Sequence, residues 1–334
     1  MISVVFSDLH AHTYQEFSSI EGGINSRLRE SLKTVERIGE TASEKGAKAI
    51  FFTGDIFHLK NYIDNHAIRL TLEAFERLAE IAPIYLCAGN HDYKSWDKDP
   101  VLLEFASRRS RRIRMVEVEE LEGDLKLFVF NFRRDVDDVL EKVERWADCP
   151  ASVALFHQDV VGSKYGGHEV IRGLDASALS RKFGWSLVGH YHNAKRLFDN
   201  VISVGAPLQN NFGDVGAACG WWVLDTEKGL SHIENEESPC FYDLEVSLGD
   251  EIEIPGRPEI DYYRVVVAGG REVPDSLKAI RWKRISFKAT SSSSTRADLK
   301  FSDTTETLMR KYIKVRNADS LDEERLLERG RRYL

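Results

Sequence analysis

Five short apolar runs in this chain each end in residues able to bind cations or move protons. Asp8-Leu9-His10 follows Ile2–Phe6, Gly54-Asp55-Ile56-Phe57-His58 follows residues 49–53, and Gly89-Asn90-His91-Asp92 follows residues 84–88. His157 closes residues 153–156, and Gly189-His190-Tyr191-His192 follows Leu187-Val188. Imidazoles, carboxylates and an amide oxygen make a mixed nitrogen and oxygen donor set that suits manganese, iron or zinc rather than calcium. Two divalent ions about 3.5–4 Å apart need one carboxylate to bridge them, and such a pair is the usual device for phosphoester hydrolysis. One segment of this kind is more often a turn or a cap than a ligand. Five in order, each at the end of an apolar run, form a pattern that accident rarely produces.

The apolar runs must be strands for this arrangement to work, because ligands in α/β sheets collect beyond the carboxyl ends of strands. The intervening segments support that reading. Residues 27–42 place Leu28, Leu32, Val35, Ile38 and Ala42 on one helical face, and residues 64–81 repeat the pattern with Ile68, Leu72, Phe75 and Leu78. Glycines before Asp55, Asn90 and His190 allow tight turns where the chain leaves the sheet. Later runs, at 125–130, 152–156, 186–188, 201–204, 220–225 and 230–234, are less often separated by helices. The order is α/β first and β-rich later, around packed sheets.

Composition bounds the rest. The chain has 334 residues, 42% hydrophobic and 30% charged, with a net charge of −8. Those values exclude a disordered, collagen-like or disulfide-scaffold protein. No run of about 18 apolar residues is present to span a membrane. The N-terminus carries no signal-peptide pattern, and the four cysteines are scattered without a CxxC, so free thiols in the cytoplasm are expected (the host cytoplasm if the gene is phage-borne). Pro255-Gly256-Arg257-Pro258 reads as a boundary. Beyond it, residues 263–268, 273–280 and 284–289 read as strand–helix–strand, 291–294 as a polar linker, and 304–313 and 321–333 as helices. Basic residues outnumber acidic ones in this last part, although the whole chain is acidic.

With those residues in view, the chain resembles the calcineurin-like metallophosphoesterase superfamily over roughly residues 1–240. Within it, the GDIFH segment at 54–58 resembles the SbcD-type DNA repair nucleases, including phage recombination exonuclease subunits. Ser203-Val204-Gly205-Ala206-Pro207 and Gly220-Trp221-Trp222-Val223-Leu224-Asp225 resemble a later stretch of the same nucleases. The resemblance implies a four-layer α/β/β/α sandwich over 1–240, a small α+β capping, DNA-binding domain over 241–290 and C-terminal helices over 295–334. It also implies two divalent metal ions, with manganese expected. Asp8, His10, Asp55 and His192 would hold the first, and Asp55, Asn90, His157 and His190 the second, with Asp55 the bridge. His91 would face the scissile phosphate and protonate the leaving oxygen, Asp92 would orient the His91 ring, and His58 would help to place the phosphate or DNA end. His12 stands where the family often has glycine; a surface position is favoured over an extra phosphate contact.

The expected activity is hydrolysis of DNA, double-stranded ends and single strands alike, as the nuclease subunit of an SbcCD-like complex. A homodimer is expected, with no membrane association. The amphipathic 304–313 and 321–333 segments would dock an SbcC-type ATPase. Substrate contacts are expected from Lys60 and Tyr62, and from Arg108 and Arg109 in the basic run 108–114, which reads alternatively as a solvated helix end. Arg133-Arg134 is a weaker basic candidate, and Trp221-Trp222 reads as packing. Two other functions compete. One is a metallophosphoesterase acting on nucleotides, cyclic nucleotides or phosphoproteins; the protein phosphatases carry an arginine in GDxVDRG that the segment at 54–60 lacks. The other is a non-catalytic DNA-end scaffold, against which the complete ligand set argues.

Overall fold

The computed structural model describes residues 1–60, 62–93, 101–146, 148–165, 168–248, 252–270, 272–288, 304, 307–308 and 310–311. The expected linker at 291–294 and helix at 321–333 lie outside them, as does most of 304–313. The chain divides into two compact units. The larger comprises Met1–Leu244, Glu253–Val265 and Ser276–Arg284, and the smaller Glu245–Ile252, Val266–Asp275 and Ile285–Leu334.

Two six-stranded sheets and their flanking helices build most of the larger unit. In the first sheet, strands Ile2–Phe6, Ala49–Phe52, Ile84–Leu86 and Ile113–Arg114 run parallel, and Gly220–Asp225 and Gly229–Glu234 extend it antiparallel beyond Ile2–Phe6. In the second, Lys126–Phe130, Cys149–His157, Phe183–Gly189 and Val201–Ser203 are parallel, with antiparallel Val118–Glu120 and Lys195–Phe198 at the edges. Alternation along each strand sorts the side chains into three cores. Val5, Phe51, Leu127, Leu155 and Leu187 meet between the sheets. Phe6 and Phe52 point the other way, against Leu28, Ile38, Phe75 and Leu78 of helices Ser26–Glu44 and Asn65–Ile81. Phe130 and Phe156 pack on Val139 and Val143 of helix Val136–Glu144 and on Leu179 of helix Ala176–Lys182. Layers of helix, sheet, sheet and helix follow, as expected. Burial on both faces is why the parallel strands read as continuous apolar runs, and each such Phe or Leu contributes about 1.5–3 kcal/mol.

Trp221 and Trp222 are packing residues: their indole N–H groups donate to Thr41 Oγ1 at 3.1 Å and to the Val204 carbonyl at 2.9 Å. Strands Phe241–Ser247, Tyr262–Ala268 and Trp282–Phe287 form a three-stranded sheet in that order. The helix expected over 273–280 is the single 3₁₀ turn Asp275–Ala279. Among the described residues no helix is long and apolar enough to cross a membrane, and all four cysteines are free.

Helix starts are set by side-chain caps. Asn25 Oδ1 accepts from the backbone N–H groups of Arg27 and Leu28, and Asp64 Oδ1 from those of His66 and Ala67. Replacing Asp64, which opens the helix that follows the GDIFH loop, strands those donors. Asp64→Ala is expected to lower unfolding free energy by about 1 kcal/mol, read as a lower urea midpoint with unchanged slope.

Candidate metal centre

The loops that leave the parallel strands continue to pair. Asp8 N–H donates to the Gly54 carbonyl at 2.8 Å, His10 N–H to Asp55 O at 3.1 Å, and Ala11 N–H to Ile56 O at 2.8 Å. This register carries Asp8 and His10 alongside Asp55. Asp8, His10, Asp55 and His190 all adopt positive φ, at 50°, 46°, 61° and 102°. Such conformations cost a non-glycine residue of order 1–3 kcal/mol and persist only where the surroundings enforce them. Glycine is needed at 54 and 89 for different reasons. Gly54 has φ +111° as well as no room for a Cβ beside His157 Nδ1 and Gly89, whereas Gly89 is required for space alone: a Cβ there would collide with Asp55 Oδ1 and with His157.

The seven expected ligands converge in two groups. His10 Nε2 lies 3.7 Å from Asp8 Oδ1 and from Asp55 Oδ2, and 3.2 Å from His192 Nε2. Asn90 Oδ1 lies 3.0 Å from His157 Nε2 and 3.1 Å from His190 Nδ1. Asp55 joins the groups, its Oδ2 being 3.4 Å from His157 Nε2 as well. The donor atoms of Asp8, His10 and His192, and those of Asp8, Asp55 and His157, are close enough for one cation each.

Each outer histidine is anchored by its far nitrogen. His157 Nδ1 lies 2.6 Å from the Thr53 carbonyl, His192 Nδ1 2.8 Å from Asp214 Oδ1, and His190 Nε2 3.3 Å from Asp159 Oδ1. An N–H placed on the anchored side turns the lone pair of the other nitrogen inward, the arrangement that orients imidazole ligands. Inside, an unprotonated ring nitrogen then faces carboxylate and amide oxygens that are themselves acceptors, so each such contact needs a proton or a cation between its two atoms. Asp8 Oδ1 and His10 Nδ1 are buried without any hydrogen-bond partner. Cations resolve the clash of acceptors and give Asp8 Oδ1 a partner, so the donor set fits a divalent pair. The candidate ligands for such a pair are thus present in the chain.

Charge balance inside the chain points the same way. Burial opposes ionisation of Asp55, yet His157 and His10 hold its carboxyl down at about 2. Burial likewise opposes a charge on His157, but the Asp55 and Asp8 carboxylates outweigh it and push that imidazole up to about 9. The site therefore pulls positive charge toward itself. His58 goes the other way, to about 4, through burial and the neighbouring rings of His10 and His91.

Asp92 does not orient His91. Its carboxylate accepts from the backbone N–H groups of Gly89 at 2.8 Å, Asp55 at 2.9 Å and Ile56 at 3.1 Å, and so ties the second ligand loop to the third. The His91 ring is fixed instead by the His58 carbonyl, 2.5 Å from His91 Nδ1, while His91 N–H donates to Asp55 Oδ1 at 2.7 Å. Arg108 and Arg109 are also misplaced by the sequence reading. They end helix Val101–Arg109, which leads into strand Ile113–Arg114, so they sit at the amino-terminal edge of the parallel strands, opposite Asp8, Asp55 and Asn90. There Arg108 pairs with Glu104, Arg109 with Glu76, and Arg112 with the carbonyls of Glu80 and Ile81. Lys60 is half-buried, and burial pulls its ammonium down despite the opposing charges of Asp55 and Asp92; Tyr62 stands in solvent, 84% exposed.

Sequence reasoning missed Thr53, Asp159 and Asp214. Asp214 alone left a local sign, a capping box with Asn211 around the turn Phe212–Asp214. The revised role of Asp92 has a measurable consequence. Asp92→Ala leaves three backbone donors without their acceptor, and is expected to cost about 2–4 kcal/mol in chemical denaturation. A residue acting only through His91 would leave stability unchanged.

The sequence model of the Calcineurin-like phosphoesterase family matches residues 1–194, more than half of the chain. An uncharacterized protein of Acanthamoeba polyphaga mimivirus is 21% identical over 77% of this chain and 20% of its own length. A protein of Invertebrate iridescent virus 6, whose name proposes it as a phosphoesterase, is 24% identical over 48% of this chain and 58% of its own. The chain thus spans a fifth and under two thirds of the length of these two relatives. Among solved structures, one from Thermus thermophilus is similar at TM-score 0.45 and 14% identity, covering 70% of this chain and 98% of that one. An archaeal phosphodiesterase is similar at TM-score 0.38 and 17% identity, covering 70% and 100%. With the match to its sequence model running through all five of the ligand-bearing strand ends, the chain belongs to the calcineurin-like phosphoesterase family.

Proposed function

We propose that the chain is a two-metal phosphodiesterase that hydrolyses DNA, acting as the nuclease subunit of an SbcCD-like repair or recombination complex. The observation that carries the hydrolase reading is Asp55, a buried carboxylate reaching both His10 and His157 and so standing between two sets of inward-facing donors. Asp8, His10, Asp55 and His192 would hold one cation, and Asp55, Asn90, His157 and His190 the other. A bound divalent pair, manganese in this reading, acidifies water and neutralises charge that builds on the phosphate. His91 supplies the proton. With Nδ1 engaged by His58, its other ring nitrogen is left to face the leaving oxygen, where protonation is worth about 10²–10⁴-fold. His58, packed at 5.9 Å on His91 and 5.6 Å from His10, holds that ring in place. Lys60, two residues beyond His58, is a basic side chain for a more distant phosphate of the strand.

The DNA and partner assignments rest on the GDIFH segment and on the amphipathic C-terminal pattern. The capping role of the 241–290 region, the homodimer and the docking of an ATPase by the terminal helices belong to the same reading.

End-labelled duplex and single-stranded DNA, digested with manganese by the wild type, Asp55→Ala and His91→Ala, test the proposal. Both variants are expected to lose turnover by at least about 10²-fold. Cutting that persists in Asp55→Ala would sink the assignment. Hydrolysis of nucleotides or cyclic nucleotides, with DNA left intact, would select the competing activity. Metal linkage separates the two variants. Manganese at a hundredfold excess over its dissociation constant is expected to stabilise the wild type and His91→Ala by about 2.7 kcal/mol. Asp55→Ala should lose most of that gain in a thermal melt.

A further inference from the structure

A recess of about 320 Å³ opens beside the centre, lined among others by His12, Tyr14, Phe17, Arg27, His58 and Phe212. Its inner wall is shared with the centre. The His58 ring packs against those of His10 and His91, and the Tyr14 hydroxyl donates to the His10 carbonyl at 3.2 Å. On the far side, Phe212 begins the turn whose Asp214 braces His192. A molecule in the recess therefore lies against residues that touch the candidate ligands.

Two kinds of chemistry matter for a ligand there, beside the Glu16 carboxylate and the amides of Gln15, Asn210 and Asn211 that also line it. The first is aromatic. Phe17 and Phe212 meet edge to face at 5.6 Å, and Phe212 meets Phe241 at 4.8 Å. Phe17 holds φ at +55°, a costly conformation for a bulky residue, and so is kept in this position by its surroundings. The second is cationic. Arg27 is 8% exposed and among the described residues has no carboxylate within ion-pair distance. Its Nη2 donates to the Asn210 carbonyl at 2.5 Å, and its guanidinium lies 3.7 Å from the Tyr14 ring centroid. A buried guanidinium whose direct contacts are neutral, with Glu16 and Asp214 acting on it only at longer range, suits a phosphate. His12 adds a buried Nδ1 that has no hydrogen-bond partner.

We propose that this recess is a nucleotide subsite. The base of the nucleotide next to the scissile bond packs against Phe17 and Phe212, and the flanking phosphate is received by Arg27 and His12. The inference rests on the phosphodiesterase reading and adds a substrate requirement: the nucleotide beside the cut must be unpaired, because a base held in a duplex stack cannot enter. Recognition is tolerant of sequence, since every base offers a ring face.

The test is equilibrium dialysis of the full chain against dAMP, dTMP and deoxyribose 5-phosphate, with turnover of bis-p-nitrophenyl phosphate measured separately. Wild type is expected to bind both nucleotides about tenfold or more tightly than the sugar phosphate. That ratio is read within one protein and does not depend on turnover. Phe212→Ala should bring it close to one, and Phe17→Leu should reduce it. Arg27→Gln should weaken nucleotides and sugar phosphate alike. A wild-type ratio near one, or a ratio untouched by Phe212→Ala, overturns the subsite even if the diester is hydrolysed. Failure to hydrolyse the diester with manganese present counts instead against the phosphodiesterase reading, and the ratio still decides the recess.

Discussion

Asp8 and Asp55 are two carboxylates almost completely removed from water and placed around the same imidazole. Taking a carboxylate out of water costs several kcal/mol unless charge and hydrogen bonds compensate. The surrounding structure supplies that compensation in layers. The imidazoles of His10, His157 and His192 stand against the pair, and the anchors of two of them, Thr53 and Asp214, lie on separate segments of the chain. Asp92 adds no compensation, since burial and the Asp55 charge push its own carboxyl up to about 7; it gathers three backbone donors beneath the site and so fixes the loops. The two sheets exist, in functional terms, to hold five strand ends close enough for this to happen.

Much of the arrangement was legible because of where buried parallel strands must stop. A strand covered on both faces has little room for polar side chains along its length, so Ile2–Phe6 and Ala49–Phe52 are apolar nearly throughout and their chemistry appears only past the end. Asp8, Asp55, Asn90, His157 and His190 therefore stood out by position as well as type. The braces did not. Asp159 is an ordinary loop carboxylate in sequence and Asp214 shows only a capping pattern with Asn211; the meaning of both lies in a ring nitrogen contributed by another segment. Asp92 was misread for the same reason. Its neighbour in sequence is His91, but its partners in space are backbone N–H groups at 55, 56 and 89, which carry no signature in the residue types.

The basic run at 108–114 was a different kind of error. Its composition suggests phosphate, yet chain direction decides its place. A helix that feeds a parallel strand must end at the edge where that strand begins, and ligands collect at the edge where it finishes. Arg109 and Arg112 accordingly close a seam between two helices with Glu76 and the carbonyls of Glu80 and Ile81. The direction of Ile113–Arg114 alone places the run away from Asp8, Asp55 and Asn90.

Four residues of the centre, Asp8, His10, Asp55 and His190, occupy left-handed backbone that glycine would adopt without penalty. Each also contributes a polar group to a crowded interior. Glycine at any of them would relax the main chain and remove an interior dipole or charge together. Selection for thermal resistance alone would thus erode this centre before it touched the phenylalanine layers, so these conformations serve the chemistry of the site rather than the stability of the fold.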